Sequence, residues 1–235
     1  FIKDTCCQIE TIRRRLALPR GTRMHIPNPT PQPLLHWEDV WPSTVQPGTA
    51  GWSAQLAPGL SAWLDPAGDD AHHWLSLLAG ATPPARGRVQ CGALCSQADR
   101  AAYQAQVYWH QPHQLLQDRE VLVDAWLQHV AQRWPTWDAA AWEAHCAGFG
   151  LAPHLSKPLW HLSTGSLRKL GMAAALASGA PLTLIEEPVA ALDSRSIQYL
   201  CQALDALGET LASNPAAAPR WVIVAHWEPL PGVTW

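Results

Sequence analysis

Two segments near the C-terminal end leave this chain little architectural freedom. PLTLIEEP (181–188) and RWVIVAHW (220–227) each carry an unbroken run of apolar and β-branched residues, the second ending at His226. Strands that lack polar alternation are buried on both faces. Between them, Ser194–Ala212 (SRSIQYLCQALDALGETLA) spaces its apolar residues as an amphipathic helix does. Buried strand, helix, buried strand is the repeating unit of a parallel sheet. The first strand runs directly into two adjacent carboxylates, Glu186 and Glu187, and then a proline. A buried strand that ends in charge raises the question of what the charge acts on.

The rest of the chain extends the pattern. WSAQL (52–56) reads as a strand, APG (57–59) as a tight turn and LSAWLD (60–65) as a second strand. PAGDD (66–70) is a loop. AHHWLSLLAG (71–80) is a helix, with Asp69 or Asp70 placed as its N-cap and Gly80 as its C-cap. GRVQCGAL (87–94) predicts a short strand and turn, and AQVYWHQP (105–112) a strand stopped by Pro112. Helical spacing runs from Asp118 to about Gly150, and again from Ser163 to Ser178, starting at LSTGS. The expectation is an α/β fold: a mostly parallel sheet covered by helices, with a helical subdomain at about 113–160. MHIPNPTPQP (24–33) reads as an extended arm, so 1–33 is set apart from a main domain at 34–235. Met24 is the first methionine, and the residues before it read as an upstream-translated or misassigned start. They have basic residues but no apolar core or small-residue cleavage site, so they do not read as a secretory signal.

Composition narrows the function classes. A length of 235 residues, 48% of them hydrophobic, suits one large domain with a sizeable core. A net charge of −3 gives no reason to expect a nucleic-acid partner. No apolar run is long enough to span a bilayer. The six cysteines (Cys6, Cys7, Cys91, Cys95, Cys146 and Cys201) are scattered without a CxxC pair, which fits a reducing cytoplasm better than a disulfide scaffold. Cys91 and Cys95 with His72 and His73 match no usual zinc spacing.

Singly, the polar residues at strand ends say little. Adjacent glutamates after a strand serve equally as a helix cap or a solvated loop. His226 alone reads as a loop histidine, and Gln111 lies among Gln104, Gln106, Gln114 and Gln117. Their order is more specific. A strand–loop–helix, a glutamine after a strand, LSTGS, LTLIEEP, AALD and VIVAHW follow one another from Trp52 to Trp227. This series resembles the nucleotide-binding domain of ATP-binding-cassette (ABC) ATPases, a P-loop NTPase fold. LSTGS resembles the signature motif, usually LSGGQ, LTLIEEP the Walker B strand and AALD the D-loop. The resemblance implies roles. Glu187 would be the catalytic carboxylate that polarises water, and His226 the switch histidine at the γ-phosphate. Glu186 stands where the family has an aspartate that holds Mg²⁺ through water, and Gln111 where a glutamine senses the metal and couples to a membrane partner. Ser163 and Gly165 would close over nucleotide bound by a second subunit, with Gly68 and Asp193 completing the nucleotide contacts. A hydroxyl and backbone N–H groups at a helix start suit an anion.

The pattern breaks at the phosphate loop, GxxxxGK[ST]. In Asp65–His73 only Pro66 and Gly68 keep the family's residues. Asp65 and Asp70 stand at two glycines, Ala71 at the lysine and His72 at the metal-ligating hydroxyl. Asp65, Asp69 and Asp70 would face phosphate, where one like-charge contact at about 4 Å costs about 4 kcal/mol at an effective dielectric near 20. The chain has three lysines, Lys3, Lys157 and Lys169, and the last two flank the signature. Arg86 and Arg88 are the remaining candidates for a substitute cation. The expectation is an ABC transporter ATPase-like subunit, with ATP and Mg²⁺ as cofactors that its own loop is ill suited to hold. It would lend its signature in trans to a second ATP-binding subunit and act with separate membrane-spanning subunits at the inner face of the cell membrane. Two alternatives stay open: a noncatalytic pseudo-ATPase interaction protein, and a metal-dependent phosphatase built on Glu186, Glu187, His72 and His73.

Overall fold

The computed structural model describes residues 34–41, 51–68, 70–111, 120–214 and 217–235. The arm expected at 1–33, Asp69 of the loop, and the helix start expected at Asp118 lie outside them. Among the described residues, eight strands and six α-helices follow in order. They are β1 Leu35–Trp41, β2 Trp52–Leu56, β3 Gly59–Leu64, α1 Ala71–Leu78, β4 Arg86–Cys91, β5 Leu94–Cys95, α2 Arg100–Ala105 and β6 Val107–His110. Then come α3 Val123–Arg133, α4 Ala139–Gly148, α5 Thr164–Ala177, β7 Leu182–Glu186, α6 Ser194–Ser213 and β8 Trp221–His226. Among the described residues no helix is long and apolar enough to cross a membrane.

The expected parallel sheet is present, in the order β3-β8-β7-β6 with every pair parallel. Its two central strands explain their own composition. Leu182 and Leu184 of β7, with Trp221, Ile223 and Ala225 of β8, join a core that also holds Leu75, Leu77 and Leu78 of α1. Ile185 of β7, with Val222 and Val224 of β8, joins a second core with Leu170 and Met172 of α5 and Leu200 and Leu204 of α6. Alternate side chains point to opposite faces, and both faces are covered, so neither strand has room for a polar alternation.

A second sheet was not anticipated. β2-β1-β4-β5 is four-stranded and antiparallel. WSAQL is indeed a strand, but it pairs with β1, while β3 after the intervening turn joins the parallel sheet. The register of β1 shifts on both its partners around Asp39, whose φ of 49° is left-handed and whose N–H donates to Ser53 Oγ at 2.8 Å. Leu35, Trp37, Val40 and Val89 bury this sheet against the α1 side of the parallel sheet. Helix starts follow their caps. Asp138 accepts from Ala141 N at 2.9 Å, Ser163 from Ser166 N at 3.1 Å and Asp193 from Ser196 N at 2.9 Å.

Candidate nucleotide site

Parallel strands end on one edge of their sheet, where α/β folds build their sites. Here β3 ends before Asp65, β6 before Gln111, β7 at Glu186 and β8 at His226. Backbone bonds hold these ends together: Asp65 N donates to His226 O at 2.9 Å, and Glu187 N to Ala225 O at 3.1 Å. The edge therefore gathers Asp65, Glu186, Glu187 and His226 as their order in the sequence implied. Gln111 follows β6 directly and is half-buried.

The loop after β3 wraps around its own first residue. The Asp65 carboxylate accepts the N–H of Gly68 at 3.1 Å through one oxygen. Its other oxygen accepts Asp70 N at 2.9 Å and Ala71 N at 2.8 Å. Gly68 makes the turn at φ 74°. Asp70 does occupy the N-cap position of α1, but its side chain makes no cap bond. The acceptor for the helix start comes from Asp65, five residues upstream. So Asp65 does not simply confront an incoming phosphate across the loop; its carboxylate is already engaged by the loop's N–H groups.

One residue further, His72 Nδ1 lies 2.9 and 3.1 Å from the two carboxylate oxygens of Glu186. The Glu186 side chain is 10% exposed and that of His72 65%. The His72 ring lies 5.3 Å from that of Trp109 on β6. Glu187, next in sequence, is exposed and held at φ 46°. Its carbonyl accepts a hydrogen bond from Nη2 of Arg168, a buried arginine on α5. His226 is buried, with Nδ1 2.8 Å from Glu228 O. Nδ1 also lies 3.3 Å from Glu228 N, and Nε2 is buried without a hydrogen-bond partner among the described residues. His110 Nε2 is likewise buried and unpartnered. Burial, and secondarily the Arg168 charge, pushes the His110 pKa down to about 3.

The LSTGS turn starts α5, as expected. Ser163 is the N-cap, its Oγ 3.0 Å from Ser166 Oγ, and Ser163 and Thr164 are exposed. This turn leans on the Glu187–Asp193 loop. A Cβ on Gly165 would stand 2.5 Å from Ala191 O, so only glycine fits there. Lys169 Nζ meets the Asp193 carboxylate at 2.7 Å, and this bond, with those from Ser196, holds that carboxyl well below the usual carboxylate range. Asp193 thus caps α6 and ties it to α5. Sequence reading missed the His72–Glu186 contact, Arg168 and the pairing of Lys169 with Asp193. An arginine inside the apolar face of a helix was the one available signal.

The residues at the sheet edge do not fit Mg-ATP in the way the family holds it. The lysine position is Ala71. The hydroxyl position is a histidine bound to the carboxylate that would ligate metal through water. The N–H groups of the loop already hold an anion of the chain's own. Among the described residues no group of three or more His, Cys, Asp or Glu is arranged to hold a metal ion.

Comparison with known proteins agrees with the fold and the motif order. The chain is 34% identical over 191 residues to the cytochrome c biogenesis ATP-binding export protein CcmA of Rhodospirillum rubrum, a match covering 79% of this chain and 76% of that protein. The protein of the same name from Paramagnetospirillum magneticum is 29% identical over 174 residues, covering 72% and 76%. An ABC transporter ATP-binding protein from Pyrococcus furiosus shares the fold with a TM-score of 0.67 at 17% identity, over 85% of this chain and 95% of that one. No protein-family model matches the chain. On the strength of its relatives and its shared fold, the chain belongs to the ATP-binding-cassette family of transporter ATP-binding proteins.

Proposed function

We propose that this ABC ATP-binding subunit acts as the signature-donating half of an asymmetric pair. Its own phosphate loop stays idle, and its LSTGS turn closes over ATP held by the loop of a second, intact ATP-binding subunit. Membrane-spanning subunits would carry the export path and hold the pair at the inner face of the membrane. The names of the relatives suggest cytochrome c biogenesis export as the process. Within the chain, we assign residues 34–235 to the nucleotide-binding domain and about 113–160 to its helical subdomain.

One observation carries this reading: the two halves of the composite site differ within one chain. The signature turn exposes Ser163 and Thr164 at the start of a fourteen-residue helix whose only side-chain cap is the Ser163 hydroxyl. The phosphate loop turns its helix-start N–H groups inward onto Asp65. A helix start with free N–H groups attracts an anion; one already satisfied by a carboxylate does not.

The test is the ATPase rate of the chain co-purified with its intact partner subunit. Thr164→Glu places a carboxylate at the exposed first position of α5, where it suits the helix dipole yet repels phosphate. Turnover should fall roughly tenfold or more, about 1.4 kcal/mol. Glu187→Gln in this chain should leave turnover within about a factor of two. Equal loss from both variants, or loss from Glu187→Gln alone, rejects the in-trans role.

A further inference from the structure

Asp65 and His72 bring a carboxylate and an imidazole to the two places where the family holds a phosphate and a metal. The Asp65 carboxylate takes the N–H groups of Gly68, Asp70 and Ala71 at 3.1, 2.9 and 2.8 Å. Those of Asp70 and Ala71 are among the donors that a helix start leaves without intrahelical partners, the groups that otherwise bind a phosphate. Helix α1 has no acidic residue in its first turn, and its N-cap side chain makes no cap bond, so Asp65 supplies the counter-charge. Across the sheet edge, the His72 imidazole stands against both carboxylate oxygens of Glu186, from 114 positions away in the chain. Nearby, Asp65 N bonds to the carbonyl of His226, a residue buried with its Nε2 unpartnered.

We infer that Asp65 is an autoinhibitory ligand of this loop: its carboxylate occupies the anion nest, and His72 engages the metal-site carboxylate Glu186. Nucleotide is excluded because the loop is already occupied, and the missing lysine is secondary. The inference deepens the idle half-site of the proposed function and rests on that reading for its meaning in the assembly. Its physical content belongs to the isolated chain. Bonds from backbone N–H groups to a carboxylate are charge-assisted and stronger than neutral ones. An incoming phosphate that uses the N–H groups of Gly68, Asp70 and Ala71 must first displace this carboxylate. A lysine at position 71 would find the Asp65 carboxylate beside it and be neutralised there. Removal of Asp65 and restoration of the lysine are therefore non-additive, with Asp65 acting first.

The experiment uses the full chain without a partner, with pyrophosphate as the probe, followed by calorimetry. Four proteins are compared: the natural chain, Ala71→Lys, Asp65→Gly, and the two changes together. The natural chain should show no binding and Ala71→Lys at most weak binding. The double variant should bind at least roughly tenfold more tightly than Ala71→Lys. In parallel, amide hydrogen exchange follows Gly68, Asp70 and Ala71 in Asp65→Asn, an isostere that keeps the loop's shape but removes the charge. Those amides should exchange faster than in the natural chain. Pyrophosphate binding by Ala71→Lys as tight as by the double variant overturns the inference. So does unchanged exchange in Asp65→Asn, which remains decisive if Asp65→Gly fails to fold. An inactive mixed pair with an intact partner would reject the in-trans reading and leave these results standing.

Discussion

His110 shows what a single buried side chain does to this protein's pH response. It ends β6 beside the Arg168 charge, and its pKa is held near 3 against the usual 6.5, burial being the larger cause. The unfolded chain therefore takes up a proton near pH 6.5 that the folded chain refuses until near pH 3. Stability rises with pH across that window and is lost on acidification through it. From pH 7 to pH 5 the loss due to His110 is at most about 2 kcal/mol. His145, whose pKa burial also lowers, works in the same direction. His110→Leu should flatten the acid limb of the urea midpoint, leaving the His145 share. An unchanged slope between pH 7 and pH 5 would show that His110 is not buried as described. At this scale the sequence was legible where position alone decides. Asp65, Glu186, Glu187 and His226 sit at strand ends and so meet at one edge. It was illegible where a partner decides. Nothing local to His72 names Glu186, and nothing local to Asp65 says that its carboxylate folds back onto its own loop.

The α5 start and the Glu187–Asp193 loop form one interlocked element. Arg168 reaches the Glu187 carbonyl, Gly165 abuts Ala191 O and Lys169 pairs with Asp193. A Cβ at Gly165 would stand 2.5 Å from a backbone oxygen, which cannot rotate aside as a side chain would. Gly165→Ala should cost about 1–3 kcal/mol in denaturant unfolding, the range for overpacking. Thr164→Ala next to it, at an exposed helix-start position, should stay within about 0.5 kcal/mol. Equal costs would show that the close approach relaxes freely. This is also why Thr164, and not Gly165, is the place to probe the signature's function: at Gly165 a lost activity and a displaced loop could not be told apart. Elements with strong periodicity, such as α1, α5, α6, β7 and β8, were legible because burial of an apolar stripe sets them. β1 and α2 were not. β1 carries two charges, Glu38 and Asp39, paired on the exposed face with Arg88 and Arg86. Only its pairing with β2 and β4 makes it a strand.

At the scale of the molecule, the two cores lie on opposite faces of the parallel sheet, and its strands contribute side chains to both. Leu184 of β7 faces one core and Leu170 of α5 lies in the other, and both are fully buried. Truncating either to alanine should cost about 2–5 kcal/mol. If the sheet couples the cores, both variants should still unfold in a single transition by fluorescence and circular dichroism. Separate transitions would mean that the layers melt independently. That rigidity bears on the assembly, because the signature turn rests on one core and the phosphate loop opens into the helix of the other. Both are fixed on one frame, yet only in the phosphate loop are donors held by a carboxylate of the chain's own. The family places each ATP between the loop of one subunit and the signature of the other. A pair of this chain with an intact subunit should then hold one ATP, seated on the intact loop, and a pair made of this chain alone should hold none. Equilibrium dialysis with a slowly hydrolysed ATP analogue measures this directly. Changing Asp65→Gly and Ala71→Lys together in this chain should raise the count toward two, since it frees the second loop and restores its cation. Two analogues bound by the natural pair would mean that the Asp65 carboxylate yields to nucleotide once the partner's signature closes on it, and the asymmetry would then lie in turnover and not in binding.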